Sequence, residues 1–447
     1  MEIAILGAGE SGVGAALLAK AKGLDVFVSD MGRIKDQYKA KLSEAGISFE
    51  EGKHTIDRIL NAKEIIKSPG IPDKATIIKE AEKKGIPVIS EIEFAGRYTS
   101  AKFICITGTN GKTTTTLLTY HLLKSAGLNV ALAGNIGESL AEKVLENKHE
   151  YYVVELSSFQ LDNMYQFKAH IAVLLNITPD HLDRYDYSME KYAASKLRVT
   201  QNMTGADYFV FNADDENIQH TFQAGKFAGN AVPFSLQAAE NAKVWYQGET
   251  IKLNVPSFSG EIDASDSLLI GKHNQYNTMA AVAVAKLLQV PDKEIEKALA
   301  TFQNAAHRLE LVGEAKDVTY INDSKATNVE AVWYALDGIK SPIVWIAGGV
   351  DKGNDYSVLE ELAREKVKVL ICLGIDNKKL QDTFRRIVPV IAETTSIEYA
   401  VRLSRSLSDP GDVVLLSPAC ASFDLFNNYE HRGERFKEAV EKIVLKK

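Results

Sequence analysis

The sequence predicts an α/β protein of three domains, each a mostly parallel sheet flanked by helices. Strand-like apolar runs alternate with helical patterns along most of the 447 residues, and this order favours parallel strands joined by helices. The length agrees, because about 150 residues per domain is a usual size. Glycine-rich turns stand between a strand and a helix twice, at residues 7–12 and 108–113. We therefore predict Rossmann-like first and third domains around a central P-loop domain.

The predicted domains cover residues 1–97, 98–302 and 303–447. In the first, strands are predicted at Ile3–Leu6, Val26–Ser29, Ile65–Lys67 and Val88–Ile89. In the second, they are predicted at Tyr152–Val154, Ile171–Leu175 and Tyr208–Phe211, followed by antiparallel strands with a hairpin at Gly248 and a helix at Thr278–Leu288. In the third, they are predicted at Val318–Ile321, Ile343–Ile346, Val369–Leu373 and Val413–Leu416.

Composition narrows the possible classes of function. Hydrophobic residues make up 45% and charged residues 25% of the chain, which is ordinary for a globular protein. The net charge of −7 argues against a general nucleic-acid binder, which usually carries a basic patch. The three cysteines are far apart, so they predict neither a disulfide frame nor a thiolate zinc site. We expect a cytoplasmic protein without a membrane-inserted segment, because no leader and no apolar run of about 18 residues is present.

The turn Gly108-Thr109-Asn110-Gly111-Lys112-Thr113 has the chemistry of a phosphate cradle. An apolar run precedes it and a long helical pattern follows it. In such a turn, backbone N–H groups and the helix N-terminus face the anion, the lysine adds positive charge, and the hydroxyl can hold Mg²⁺. The GxxxxGK[ST] pattern would place glycine where this chain has Ile106. An accidental glycine-rich helix start is the alternative, but the strand, the glycines, the lysine and the hydroxyl all occur in the required context.

The first glycine-rich turn matches GxGxxG at Gly7, Gly9 and Gly12, and Asp30 closes the next predicted strand. This pattern is typical of dinucleotide sites, with the acidic residue on a ribose hydroxyl. Three interpretations stay open on the residues alone: an NAD or FAD site, a site for another diphosphate ligand, or a purely structural turn. Arg33 would suit an additional anionic group.

Polar residues at predicted strand ends mark further candidates in the central domain. Glu155 ends a strand beside the phosphate loop, where a second metal ligand is needed, although an ordinary polar strand end is the alternative. His181 follows another apolar strand, and a lone histidine is more often structural than a ligand. Lys196 lies in a helical pattern, and its spacing alone indicates a solvated helix lysine.

Taken together, these segments resemble the Mur ligases, the ATP-dependent enzymes that add amino acids in peptidoglycan synthesis. The central segments are Gly108–Thr114, ELSSFQL at 155–161, DHLDRY at 180–185 and YAASK at 192–196. Four segments of the third domain resemble the branch of the family that adds D-glutamate: HRLE at 307–310, DSKATN at 323–328, GGVDKG at 348–353 and SPACASFD at 417–424. The resemblance covers the whole chain in the right order.

The resemblance implies an ADP-forming ligase that joins D-glutamate to UDP-N-acetylmuramoyl-L-alanine through an acyl phosphate. The first domain would bind UDP and the second ATP, and the third would bring the amino acid and rotate to close over both. The implied first-domain ligand is a UDP-sugar rather than NAD. The implied cofactors are ATP and two Mg²⁺ ions, and the implied state is a monomer without nucleic acid. The alternatives are a nicotinamide dehydrogenase, a P-loop switch without enzymatic activity, and a folylpolyglutamate synthetase or a ligase for another amino acid.

The resemblance also implies site residues. Those for the UDP substrate are Gly9, Glu10, Ser11, Gly12, Asp30, Arg33, Ser68, Gly70 and Asn135. Those for ATP are Gly108, Thr109, Asn110, Gly111, Lys112, Thr113, Thr114, Asn274, Asn277, Arg308, Asp323 and Lys325, where a helix N-cap is the alternative role for Asn274. Those for D-glutamate are Thr327, Lys352, Ser422, Phe423 and Tyr429, where Phe423 and Tyr429 could instead be core aromatics. The implied metal ligands are Thr113, Glu155, His181 and Lys196, with Lys196 as a CO₂-derived carbamate, and the implied catalytic residues are Lys112, His181 and Lys196.

Overall fold

The computed structural model describes residues 2–223, 227–238, 242–255, 258–267, 269 and 271–444. The chain divides into two compact units, Met1–Leu268 with Tyr276–Phe302, and Leu269–Gln275 with Gln303–Lys447. In the described residues, two sheets belong to the first unit and one to the second, which confirms the predicted α/β class. The domain boundaries at 97/98 and 302/303 stay predictions. None of the described helices combines the length and the hydrophobicity that crossing a bilayer requires.

The first sheet has the strand order β3-β2-β1-β4-β5, and its neighbouring strands pair in parallel. Its strands are β1 (Ile3–Leu6), β2 (Val26–Asp30), β3 (Ser48–Glu51), β4 (Glu64–Lys67) and β5 (Val88–Ile89). Its helices are α1 (Glu10–Ala21), α2 (Asp36–Glu44), α3 (Ile56–Ile59), α4 (Thr76–Lys83) and α5 (Glu91–Gly96). The four predicted strands are confirmed, and β3 was not predicted. Because β1 and β4 are neighbours, the turns that follow them meet at one crevice at the carboxyl edge of the sheet.

The second sheet has the order β14-β13-β12-β11-β10-β9-β6-β8-β7 and is parallel up to β12. Its strands are β6 (Lys102–Thr107), β7 (Val130–Gly134), β8 (Tyr151–Glu155), β9 (Ile171–Leu174), β10 (Tyr208–Asn212), β11 (Asn230–Ser235), β12 (Val244–Gln247), β13 (Thr250–Val255) and β14 (Phe258–Asp263). Its α-helices are α6 (Lys112–Ser125), α7 (Leu140–Glu146), α8 (Ser158–Asp162), α9 (Met189–Leu197), α10 (Glu216–Gln223), α11 (Lys272–Leu287) and α12 (Asp292–Thr301). Short 3-10 helices occupy Leu182–Tyr185 and Arg198–Thr200. The predicted hairpin at Gly248 joins β12 and β13, but α11 begins six residues before the predicted helix start at Thr278.

The third sheet has the order β15-β16-β20-β17-β18-β19 and is parallel except for β15. Its strands are β15 (Glu310–Ala315), β16 (Val318–Asn322), β17 (Ile343–Ala347), β18 (Val367–Leu373), β19 (Val390–Thr394) and β20 (Val413–Leu416). Its helices are α13 (Val329–Gly338), α14 (Glu360–Lys366), α15 (Lys378–Phe384), α16 (Ile397–Leu407) and α17 (Tyr429–Val444), with a 3-10 helix at Ser357–Leu359. Since β20 lies between β16 and β17, the loops after these strands are neighbours.

Helix α5 joins the first two sheets through two buried carboxylates. Glu91 accepts a hydrogen bond from the backbone N–H of Ala141 in α7 at 2.5 Å. Glu93 accepts hydrogen bonds from the backbone N–H groups of Tyr165 at 3.0 Å and of Phe167 at 2.9 Å. Both carboxylates are buried, and buried acceptors that receive backbone donors fix the two surfaces relative to each other. The first two sheets are thereby held within one compact unit.

Candidate active site

The predicted phosphate loop follows β6 and ends where α6 begins. Gly108 has a φ of +152° and Gly111 a φ of +82°, conformations that favour glycine. A Cβ atom on Gly111 would lie 2.3 Å from Asn277 Oδ1. The Nζ atom of Lys112 donates hydrogen bonds to the carbonyl oxygens of Gly108 at 2.8 Å and Thr109 at 2.7 Å. The loop thus places a positive charge and a helix N-terminus together, which suits an anion.

The loop is held in place by the segment that follows β9. Asn176 accepts hydrogen bonds from Asn110 N at 2.8 Å, through Oδ1, and from Thr109 N at 3.0 Å, through its carbonyl oxygen. The Thr109 hydroxyl donates to Thr178 O at 3.2 Å and lies 3.2 Å from Tyr192 OH. Asn176 was not among the predicted site residues. Its sequence position could have indicated it, because Asn176, like Glu155, is a polar residue at the end of an apolar strand.

Lys196 is buried beneath the phosphate loop, so the interpretation from spacing alone, a solvated helix lysine, is wrong. The side chain lies in α9 with an exposed fraction of 1%, and its Nζ donates to Gly108 O at 2.8 Å. Burial and the nearby charge of Lys112 hold the pKa of Lys196 well below its usual range, against the opposing effect of Asp180. A lowered pKa favours the neutral amine, which is the nucleophilic form of lysine.

Glu155 has the environment of a metal ligand. It is buried, and its Oε1 accepts a hydrogen bond from Asn135 Nδ2 at 2.9 Å. Its Oε2 is also buried and has no hydrogen-bond partner, an arrangement that is costly unless a ligand completes it. Thr113 lies in the first turn of α6. A carboxylate and a hydroxyl supply the hard oxygen donors that Mg²⁺ prefers, so these residues fit the implied ion.

His181 differs from the other implied metal ligands. Its φ is +52°, its side chain is half exposed, and its Nε2 lies 3.5 Å from Asp180 Oδ2. Its ring packs edge-on against Phe159, with the centroids 5.4 Å apart. Across the part of the chain that the structure describes, no three His, Cys, Asp or Glu side chains form a group that could hold a metal ion.

The turn after β1 is shaped by close backbone packing. Gly7 has a φ of +92°, and a Cβ atom on Gly12 would lie 1.9 Å from the carbonyl oxygen of Gly7. Asp30 stabilises the same turn, because its Oδ2 accepts a hydrogen bond from Ala8 N at 2.6 Å and its Oδ1 one from Gly32 N at 2.7 Å. Both Asp30 oxygens therefore bond to backbone groups. The acidic residue of the motif organises the loop, whatever ligand it also contacts.

The other residues predicted for the UDP substrate occupy different positions within the first compact unit. The Ser68 hydroxyl donates to Gly7 O at 3.4 Å, a contact between the turns after β1 and β4. Glu10 begins α1, and burial together with Glu142 raises the pKa of its carboxyl group. Arg33 is largely exposed and lies 3.7 Å from Asp36. Ser11 lies in the first turn of α1, Gly70 is exposed beyond β4, and Asn135 contacts Glu155.

Asn274 and Asn277 both lie inside α11 and are buried. The Oδ1 atom of Asn277 accepts a hydrogen bond from Thr115 Oγ1 at 3.0 Å, which places Asn277 against the helix that follows the phosphate loop. The N-cap role for Asn274 is wrong, because α11 begins at Lys272 and the Asn274 N–H bonds to Gly271 O. Both residues therefore sit in the first two turns of the helix.

In the second compact unit, Asp323 lies where β16 ends. Its Oδ2 accepts a hydrogen bond from Ser417 Oγ at 2.8 Å and its Oδ1 one from Leu309 N at 3.2 Å. Burial raises the pKa of Asp323 to about 7, although Ser417 and Arg308 act in the opposite direction. Further along the same loop, Lys325 Nζ lies 3.7 Å from the centroid of the Tyr429 ring, a distance typical of cation–π contacts. Two predicted site residues therefore touch.

The loops after β16, β17 and β20 carry the other predicted amino-acid ligands. Val350 and Ala421 exchange backbone hydrogen bonds of 2.8 and 3.3 Å, so the two loops run side by side. Ser422 is buried in this pairing, whereas the Phe423 side chain is 71% exposed. The core-aromatic interpretation of Phe423 is therefore wrong. Tyr429 is partly buried at the start of α17, Thr327 is partly buried, and Lys352 is exposed.

Comparison with known protein families defines the class of this chain. Three family models match it in succession: the Mur ligase MurD-like N-terminal domain at residues 1–90, the Mur ligase middle domain at 106–285, and the Mur ligase glutamate ligase domain at 307–420. With these matches and full-length relatives above 50% identity, the chain belongs to the Mur ligase family.

The relatives are similar over their full length. The UDP-N-acetylmuramoylalanine–D-glutamate ligase of Bacteroides fragilis is 52% identical over 442 residues, which are 99% of each chain. The protein of the same name from Christiangramia forsetii is 51% identical with the same coverage. Among solved structures, a pseudomurein peptide ligase type C from Methanothermus fervidus covers 99% of both chains with a TM-score of 0.63. Its 22% identity supports the fold alone.

Proposed function

We propose that this chain is an ATP-dependent ligase that joins D-glutamate to UDP-N-acetylmuramoyl-L-alanine in the synthesis of peptidoglycan precursors, forming ADP and phosphate. The observation that carries the proposal is the full-length identity of 51–52% to ligases named for this substrate and amino acid. The geometry agrees with it. A phosphate loop with Lys112 at its helix start lies in the same compact unit as a glycine turn suited to a diphosphate.

The reaction needs an activated acid, because a free carboxylate is a poor acyl donor at neutral pH. The alanine carboxylate oxygen attacks the γ-phosphorus of ATP, and the bond from that phosphorus to the β,γ-bridging oxygen breaks. ADP departs, and the alanine carboxylate has become an acyl phosphate. The amine of D-glutamate then attacks the carbonyl carbon, the amine proton is lost, and phosphate departs as the amide forms. Phosphoryl transfer depends mainly on positioning and charge neutralisation. We assign no residue as the base for the amine.

In this proposal the loop residues Gly108–Thr114 bind the ATP phosphates, and Lys112 neutralises developing charge on them. Thr113 and Glu155 would hold one Mg²⁺, and His181 and Lys196 would serve the second. Bound Mg²⁺ supplies positive charge that stabilises the phosphate oxygens. Lys196 would act as a carbamate, because the addition of CO₂ converts a cation into an anionic oxygen ligand. The buried, unpartnered oxygen of Glu155 supports its assignment as a Mg²⁺ ligand. The lowered pKa of Lys196 supports its assignment as a carbamate.

The remaining assignments follow the positions of the side chains. Asn274 and Asn277 would contact adenine, whose edge offers both a donor and an acceptor. Arg308, Asp323 and Lys325 would extend the nucleotide site. The crevice after β1 and β4 would hold the UDP group, and the loops after β16, β17 and β20 would hold D-glutamate, with the exposed ammonium of Lys352 suited to a carboxylate. We further propose three domains with boundaries near residues 97 and 302, a monomer, and a cytoplasmic location.

One assay tests the proposal directly. Purified protein is incubated with ATP, Mg²⁺ and UDP-N-acetylmuramoyl-L-alanine, and phosphate release is measured across a panel of D- and L-amino acids. We expect release that depends on D-glutamate, together with a product heavier than the UDP substrate by one glutamate minus water. Release that depends on another amino acid would change the assigned substrate. No release with any of them would contradict a ligase of this kind.

A further inference from the structure

Arg432 is a buried cation that was not among the predicted site residues. It lies in the first turn of α17, and its exposed fraction is 1%. Burial lowers its pKa to about 10, so the guanidinium stays charged near neutral pH. Within the described residues, its hydrogen bonds all go to uncharged oxygens. Burying a charge is costly unless hydrogen bonds compensate for it, so these acceptors account for its position.

The acceptors belong to three different loops. Nε donates to Ser324 Oγ at 3.0 Å and Nη2 to Ser324 O at 2.8 Å, in the loop after β16. Nη1 donates to Cys420 O at 3.2 Å, after β20, and to Gly348 O at 3.4 Å, after β17. The planar guanidinium presents donors in fixed directions. One side chain therefore ties the carboxyl ends of three neighbouring strands to the start of α17.

Those loops carry the residues proposed to bind D-glutamate. The loop after β16 contains Thr327, the loop after β17 contains Lys352, and the loop after β20 contains Ser422. Tyr429 begins α17, and its carbonyl oxygen accepts a hydrogen bond from the Ser324 hydroxyl at 2.9 Å. Ser324 thus links Arg432 to the backbone of Tyr429. A change at Arg432 would therefore reach each of the three loops through hydrogen bonds that are present in the structure.

We propose that Arg432 is a positioning residue that sets the geometry of the D-glutamate site, an inference that rests on the proposed function. It acts through the backbone of the three loops and does not itself contact the substrate. Lysine keeps the charge but offers a single ammonium, which cannot reproduce the directions of the fork. The other possibility is that Arg432 is a purely structural group. Its loss would then lower the stability of the protein without changing KM for D-glutamate in particular.

The test compares Arg432→Lys and Arg432→Ala with the unchanged protein, varying each of the three substrates in turn. We expect KM for D-glutamate to rise about tenfold or more, the size expected from losing buried, charge-assisted hydrogen bonds. KM for ATP and for the UDP substrate should stay within about twofold, because the bonds of Arg432 lie in the loops assigned to the amino acid. Added ethylguanidinium should partly restore the D-glutamate KM of Arg432→Ala, because it can occupy the emptied fork site.

Arg435→Ala is the matched control. Arg435 is three residues further along α17 and pairs with Glu398 and Glu438 at the surface, so its loss should leave all three KM values unchanged. If Arg432→Ala does not fold, Ser324→Ala removes the acceptor of Nε and the hydroxyl bond to Tyr429 O but leaves the three other bonds of Arg432 in place. It should raise KM for D-glutamate in the same direction by a smaller factor. KM values that rise together, or a lowered melting temperature with an unchanged D-glutamate KM, would overturn the inference. A wild-type protein without D-glutamate-dependent phosphate release would instead contradict the proposed function.

Discussion

The ammonium nitrogen of Lys196 lies 2.8 Å from the carbonyl oxygen of Gly108, so a buried lysine of α9 touches the first residue of the phosphate loop. Lys112 donates to the same carbonyl oxygen at 2.8 Å. Two ammonium groups that share one acceptor repel each other when both are charged, and this repulsion contributes to the lowered pKa of Lys196. Burial is the larger cause of the lowered pKa, and both effects favour the neutral, nucleophilic amine of Lys196.

We predict that Lys196 takes up CO₂ as a carbamate. The neutral amine forms an N–C bond to CO₂ and loses a proton, and the lowered pKa of Lys196 favours that neutral form. Protein equilibrated with ¹³C-bicarbonate should show a carbamate carbon signal by NMR, and Lys196→Ala should lack it. The substitution should also lower kcat by about 10²–10³-fold, since an electrostatic ligand of the site is lost.

Lys191→Ala is the control for that experiment, because Lys191 lies in the same helix but is exposed and pairs with Asp186 at 2.6 Å. It should keep both the signal and the activity. A carbamate signal that persists in Lys196→Ala would contradict the assignment. So would a CO₂-depleted enzyme whose rate does not respond to added bicarbonate.

Replacing Lys112 by alanine should lower kcat by about 10²–10³-fold. Lys112 is the one cationic side chain in residues 108–114, so its loss leaves charge on the transferred phosphoryl group less well neutralised. Steady-state phosphate release measures the effect, and Lys124→Ala, at the exposed end of the same helix, should be unaffected. A Lys112→Ala protein that works at the wild-type rate would remove the phosphate loop from the reaction.

Gly12→Ala should destabilise the first sheet and weaken binding of the UDP substrate. A Cβ atom at this position would lie 1.9 Å from the carbonyl oxygen of Gly7, so the turn must move away from α1. Overpacking of this kind costs about 1–3 kcal/mol in the free energy of unfolding, which urea denaturation measures. Gly205→Ala is the control, since a Cβ atom there meets no atom within 4 Å. Equal stability of the two variants would show that the turn relaxes without cost.

The sequence predicted the parts of the fold that depend on local order. The phosphate loop was predictable because the strand, glycines, lysine and helix are consecutive. The edge strand β3 was not, because its sequence Ser-Phe-Glu-Glu is polar and its strand character comes from pairing with β2. The burial of Lys196 was not predictable from helical periodicity, since it depends on packing against Gly108, 88 residues away. Arg432 was missed for the same reason, because its acceptors come from loops distant in sequence.

The stability of the fold should depend on pH through the carboxyl group of Glu91. Burial, with the nearby charges of Glu10 and Glu142, raises the pKa of Glu91 to about 8, against the opposing hydrogen bond from Ala141 N. A carboxyl group whose pKa is higher in the folded state binds its proton more tightly when folded. The contribution of Glu91 to the free energy of unfolding is therefore complete at pH values below the pKa of the unfolded state. It is lost as the pH rises towards 8. Between pH 5 and 8 this loss is on the order of 3 kcal/mol.

Glu91→Gln should remove this dependence, because the amide oxygen can still accept the hydrogen bond from Ala141 N but the side chain no longer titrates. Relative to wild type, the free energy of unfolding of the variant should therefore rise between pH 5 and pH 8, as measured by urea denaturation at several pH values. Glu44→Gln, at the exposed end of α2, controls for the loss of one carboxylate. Parallel stability curves for Glu91→Gln and wild type would mean that Glu91 stays ionised in the folded protein. The contact between α5 and α7 would then have to stabilise the buried charge of Glu91 through another interaction.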